Sequence, residues 1–109
     1  MIFLFGASCA SSNTATPAAD SSSAAIRAAE EVGATHTPDA ALYLQLAKEQ
    51  FEHARLLTDK KDKEQADRLL LRAQADAELA LALARSDSEK NEAQGAINKV
   101  KNLKETTIQ

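Results

Sequence analysis

The chain has 109 residues, 44% of them apolar, but 23 of those are Ala and six (Met1, Ile2, Phe3, Leu4, Phe5, Cys9) lie in the first nine positions. Only 19 larger apolar side chains remain from residue 10 onward, with Tyr43 and Phe51 as their aromatics, which argues against a large globular fold around a deep ligand pocket. Thirteen basic against sixteen acidic residues leave a net charge of −3 with no basic block, so nucleic-acid binding is disfavoured.

Residues 1–9 form an apolar run that closes on Gly6-Ala7-Ser8-Cys9, and Ala10-Ser11-Ser12-Asn13-Thr14-Ala15-Thr16-Pro17 follows. An apolar stretch, small residues, a Cys and a Ser/Thr-rich spacer resemble a bacterial lipoprotein signal. Small side chains suit a signal peptidase, and the exposed Cys9 thiol would carry the lipid that holds the chain on a membrane. The segment is shorter than an ordinary signal, lacks a basic start, and has Gly6 where Leu is usual. The expectation is therefore that the true signal begins upstream of Met1 and that Cys9 is the anchor. With Ala10 rather than Asp after it, the destination in an enterobacterial-type system is the outer membrane, facing the periplasm. A chance apolar start with a free thiol is the bland alternative. Residues 10–21 read as a flexible tether, since they have no large apolar group to offset ordering entropy.

The remaining chain, 22–105, reads as all-α. Ala25, Ile26, Ala29 and Val32 mark a first helix from about Ser22, closed by Gly33. Thr37-Pro38-Asp39 opens a second, with Ala40, Tyr43, Leu44, Ala47, Phe51, Ala54 and Leu57 at helical spacing to about Thr58. Asp59-Lys60-Lys61-Asp62 is a charged turn, and a third helix from about Lys63 carries Ala66, Leu69, Leu70, Ala73, Ala77, Ala80, Leu81 and Ala84 on one face.

Leu71, Ala75, Leu79, Ala82 and Leu83 fall elsewhere on that helix, so Leu71, Leu79 and Leu83 are the predicted partner contact. After Ala84 the apolar set becomes Ala93, Ala96, Ile97, Val100 and Leu103, displaced by about half a turn at roughly 100° per residue. Ser86-x-x-Glu89 has the form of a capping box, so the helix either restarts there or runs on with its opposite face turned to another partner. Length arithmetic favours running on. The second helix then covers the first half of the third, and the first helix, continuing in the same direction, covers residues 88–100. The predicted architecture is an elongated antiparallel helical hairpin with coiled-coil-like packing, frayed over 106–109.

The polar residues suggest no chemistry. His53 follows Glu49 by one turn without a third metal ligand, and His36 falls in the break between helices. No phosphate loop or nucleophile elbow occurs, and carboxylate neighbours such as Glu30-Glu31 suit solvated faces. No cofactor, metal or small-molecule substrate is expected, and the chain is not expected to be an enzyme.

The runs Ala25-Ile26-Arg27-Ala28-Ala29-Glu30, Pro38-x-x-Ala41-Leu42-Tyr43-Leu44-x-Leu46-Ala47-x-Glu49-Gln50 and Ala66-x-x-Leu69-Leu70-x-Arg72-Ala73, continuing into "AQADAELALALA" at Ala73–Ala84, are similar to the domain-of-unknown-function family forty-three ninety-eight of short bacterial envelope lipoproteins. The resemblance covers about residues 22–104. It implies a helical hairpin, a lipoprotein signal, and an envelope context sometimes associated with OmpA-like, peptidoglycan-binding domains; it implies no catalytic residue. The charged Lys61-Asp62 departs from the Gly-Asp more usual in that turn. Tyr43, Ala47, Phe51 and Ala54 also resemble a tetratricopeptide unit, but only one is visible where a stable array needs about three. The expected function is a non-enzymatic, outer-membrane-anchored module that binds an envelope protein or itself. The alternative is a soluble, self-associating helical module without the anchor.

Overall fold

The computed structural model describes residues 16–59 and 62–108. Among them are three helices, α1 (Pro17–Glu31), α2 (Pro38–Asp59) and α3 (Lys63–Thr107), with a short 3₁₀ turn at Ala34–His36 between the first two. The helical hairpin is the one expected: α2 and α3 run antiparallel, and the Asp62 N–H donates to the Leu57 carbonyl at 3.0 Å. Residues 1–15, with Cys9 and the signal-like segment, lie outside the described residues.

α1 departs from expectation in two ways. It starts at Pro17, so residues 17–21 of the predicted tether are helical. Thr16 caps it, its hydroxyl accepting from the Ala19 N–H at 3.3 Å, and Pro17 occupies the first helical position. Its course differs too. α1 does not continue past α2 to cover residues 88–100. The chain reverses at Gly33, whose φ of 85° is left-handed, while the N–H groups of Val32 and Gly33 close the helix on the carbonyls of Ala28 and Glu30. α1 therefore lies beside the same half of α3 that α2 covers. Ala18 and Ala19 pack near Ala66 and Leu70, whereas Ile26 and Ala29 share a cluster with Ala77, Ala80 and Ala84.

A Cβ on Gly33 would meet only His36 Cδ2, at 3.8 Å. Gly33→Ala is thus expected to cost about 1 kcal/mol through backbone strain rather than collision. A thermal melt unchanged from wild type would show that the reversal does not need the left-handed residue.

The core is built mostly from alanine. α3 buries Ala66, Leu70, Ala73, Ala77, Ala80 and Ala84; α2 buries Ala40, Leu44, Ala47 and Ala54; α1 buries Ser22, Ile26 and Ala29. Steps of four and three recur on every helix, which is the seven-residue repeat of coiled-coil packing. Among the described residues, only Ile26, Leu44 and Leu70 of the buried apolar set exceed Ala in size. Small residues let the axes approach closely, and half-buried Tyr43, Phe51, Leu57, Leu69, Leu81 and Leu83 roof the seam from its sides.

Ser22 fits the same scheme: its hydroxyl donates to the carbonyls of Ala18, at 2.8 Å, and Ala19, so a polar side chain of alanine size is buried without an unmet donor. Gln50 Nε2 donates to Asp76 Oδ2 at 2.8 Å across the α2–α3 seam. Gln50 Oε1 stays buried without a partner, so this polar pair fixes register rather than adding much stability. Lys48 pairs with Glu30 and ties α2 to α1 at the surface.

α3 is unbroken. Ser86-x-x-Glu89 lies within it and caps nothing, as the length arithmetic favoured; the helix runs to Thr107, two residues into the tail predicted to fray. At about 1.5 Å per residue it is roughly 67 Å long. Its bundle half ends at Ala84, and from Asp87 to Ile108 every side chain is exposed.

Candidate functional site

The long helix has two different sides. Its inner side, set by Ala66, Leu70, Ala73, Ala77, Ala80 and Ala84, is covered by α1 and α2. About half a turn round lies an outer ridge that starts with Leu71, Ala75, Leu79 and Ala82. Leu71 is 60% exposed and Leu79 40% exposed. Eighteen residues span five turns at about 3.6 per turn, so Ile97 falls below Leu79 and Val100 below Ala82 on the same line. The two apolar sets that look unrelated in the sequence are thus collinear, interrupted by polar Ser86, Glu89 and Lys90.

The structure brings together two of the three predicted contact residues. Leu71 and Leu79 share the outer ridge. Leu83 belongs instead to the shoulder of the seam, half-buried against the core cluster of Ile26, Leu44 and Ala80. It lies one residue before buried Ala84 and three after buried Ala80, which turns it inward. Any change at Leu83 would act first on packing.

The ridge continues beyond the bundle through Ala93, Ala96, Ile97, Val100 and Leu103; Ile97 is 50%, Val100 51% and Leu103 60% exposed. On the inner side of the same segment stand Ser88, Asn91, Gly95, Asn98 and Asn102, with no large apolar group. The tail is therefore amphipathic in the sense opposite to the bundle half.

A second exposed apolar line, Leu42, Leu46 and Leu56 on α2, carries no prediction from the sequence. Its signal was available: once Ala40, Leu44 and Ala47 take the seam, Leu42 and Leu46 must face away at helical spacing.

The polar candidates remain apart. His53 and Glu49 are both exposed on α2, and Glu49 Oε1 accepts from Gln45 Nε2 at 3.0 Å. His36 is exposed in the 3₁₀ turn, beside a shallow groove shared with Val32, Thr37, Asp87 and Asn91. Thr37 Oγ1 points to Asp87 Oδ2 at 3.5 Å, so the groove marks where the α1–α2 reversal meets the root of the tail. Among the described residues, no group of three or more His, Cys, Asp or Glu is placed to hold a metal ion. No helix among them is long and apolar enough to cross a membrane.

Neither the curated proteins nor the solved structures contain a match to this chain. The model of the family described as a domain of unknown function, DUF4398, matches residues 17–96, from the first residue of α1 to the middle of the exposed tail. A match over that span takes in all three helices and the reversal at Gly33: the chain belongs to the DUF4398 family.

Proposed function

We propose that this protein is a non-enzymatic interaction module of the bacterial cell envelope, held on the outer membrane by a lipid at Cys9 and facing the periplasm. The observation that carries the contact role is the outer ridge of α3. Leu71 and Leu79 stand exposed on the part of α3 whose inner side is covered by α1 and α2, so holding the bundle together does not use them. Exposed leucines aligned on one helix face lose unfavourable hydration when a partner covers them. The anchor rests on the apolar run and small residues before Cys9, and the outer-membrane destination on Ala10. The envelope partner is an acceptor of apolar surface, in the neighbourhood of the peptidoglycan-binding proteins with which similar lipoproteins are associated.

Crosslinking in intact cells, with wild type beside Cys9→Ala and Leu71→Glu/Leu79→Glu, tests both parts. Wild type is expected to incorporate a palmitate analogue and to crosslink to one dominant envelope protein. Cys9→Ala loses the label, and the double Glu variant keeps the label but loses the crosslink. Label persisting in Cys9→Ala sinks the anchor, and an unchanged crosslink in the Glu variant sinks the ridge.

A further inference from the structure

We infer that the exposed tail of α3 is a homodimerisation element that pairs antiparallel with the tail of a second copy of this chain. The inference deepens the contact role of the outer face of α3 and does not depend on the lipid anchor.

An unsupported helical tail needs explaining. Residues 85–107 form a segment of about 34 Å that meets the α1–α2 reversal only at its root, through Thr37 and Asp87, is exposed from Asp87 onward, and has Gly95 in its middle. Most helical stability in proteins comes from burying an apolar face, and from Asp87 onward this segment buries none. The hydrogen bonds within it, such as Asn91 to Asp87 and Gln94 to Asn98, lie on the exposed surface and add little. The face available for burial is Ala93, Ala96, Ile97, Val100 and Leu103. It combines two alanines, which allow close approach, with three larger side chains to bury.

Charge selects the partner. Residues 86–96 hold Asp87, Glu89 and Glu92 against Lys90, a net −2. Residues 97–107 hold Lys99, Lys101 and Lys104 against Glu105, a net +2. The change of sign falls between Ala96 and Ile97, at the centre of the apolar stripe. Two tails laid antiparallel about that point place the acidic half of each beside the basic half of the other, with Glu89 level with Lys104 and Ala93 level with Val100. Laid parallel, they would align carboxylates with carboxylates and amines with amines. The surface is complementary to itself in one direction only. Sterics agree, because α1 and α2 lie on the inner side of α3 and leave the outer side open.

Sedimentation equilibrium on the full chain tests this, with four proteins compared over a wide concentration range. Wild type is expected to approach twice the chain mass. Glu89→Lys/Glu92→Lys and Lys101→Glu/Lys104→Glu should each weaken association by about tenfold or more, because each replaces attraction with repulsion in the antiparallel pair. The variant carrying all four changes should recover wild-type association. In a parallel pair the two-site variants would associate no worse than wild type, and that result overturns the inference. So does a wild-type mass of one chain throughout, or failure of the four-site variant to recover while its helicity is intact. Binding of the tail to anionic vesicles in place of self-association overturns it as well. Leu71→Glu/Leu79→Glu is expected to dimerise normally, so loss of the envelope crosslink and loss of the dimer are read from different variants.

Discussion

Leu44→Ala is expected to reduce the free energy of unfolding by about 3 kcal/mol, because truncating a buried Leu removes its transfer energy and leaves a cavity. The reason for so large an effect here lies in the company Leu44 keeps. Among the described residues it is one of three buried apolar residues larger than Ala, in a cluster whose other members are mostly alanines. Alanines have no side-chain rotamers with which to close a gap, so collapse would require the helices themselves to move. For a unit of this size, a loss of that magnitude lowers Tm by about 15 °C. A melt followed by circular dichroism reads the shift directly, and a fall of only a few degrees would mean that Leu44 is dispensable to the seam. Phe51, half-buried between the two core clusters, should matter less than a fully enclosed aromatic, at about 2 kcal/mol for Phe51→Ala.

The opposite substitution should be equally damaging. Ala77 is fully buried where α3 meets both other helices, near Leu44, Ala47 and Ile26. Ala77→Leu forces new carbon atoms into a close-packed seam, and the cost of overpacking is expected to reach about 3 kcal/mol because two interfaces must part together. Ala82→Leu supplies the control. It makes the same chemical change five residues on, on the exposed outer side, and should alter stability by less than about 0.5 kcal/mol. Urea unfolding of the two proteins gives the comparison. Equal midpoints would show that the alanines do not set the spacing of the helices.

The two substitutions also mark what the sequence could reveal. Periodicity located the inward residues of α2 and α3 well, because burial of one face imposes a 3.5–3.6 spacing on apolar side chains wherever a helix packs. The charged residues at 59–62 likewise announced the hairpin. The start of α1 was equally legible. Thr16-Pro17 repeats the cap-and-proline signal of Thr37-Pro38, yet the small residues on either side of it read as a spacer. Direction was not legible. A glycine after a helix states that the helix ends, but whether the chain then goes on or turns back depends on which neighbouring surface can still accept an alanine face. The inner side of α3 could accept both helices.

The same limit applies to the ridge. Leu71, Leu79 and Leu83 are all off the main stripe, but only the three-helix geometry separates a shoulder residue such as Leu83 from those facing away. The half-turn slip after Ala84 was visible as a number. That the helix runs on with its apolar side exchanged was one of two readings; that the exchange falls where the covering by α1 and α2 ends emerges only with the bundle in place.

The reversal at Gly33 also determines where the two ends of the molecule point. Because α1 runs back along the bundle, its first turn sits beside Ala66 and Leu70, at the base of α3. Thr16 therefore emerges at one pole, and the tip of the tail lies about 60 Å away at the other. A surface that holds the chain by residues before Thr16 sees the bundle first and the tail last. If two such molecules pair through their tails, their bases come to lie roughly 90 Å apart, at the extremities of a single straight rod. Such a rod fastened at both ends to one surface would lie along it rather than stand on it.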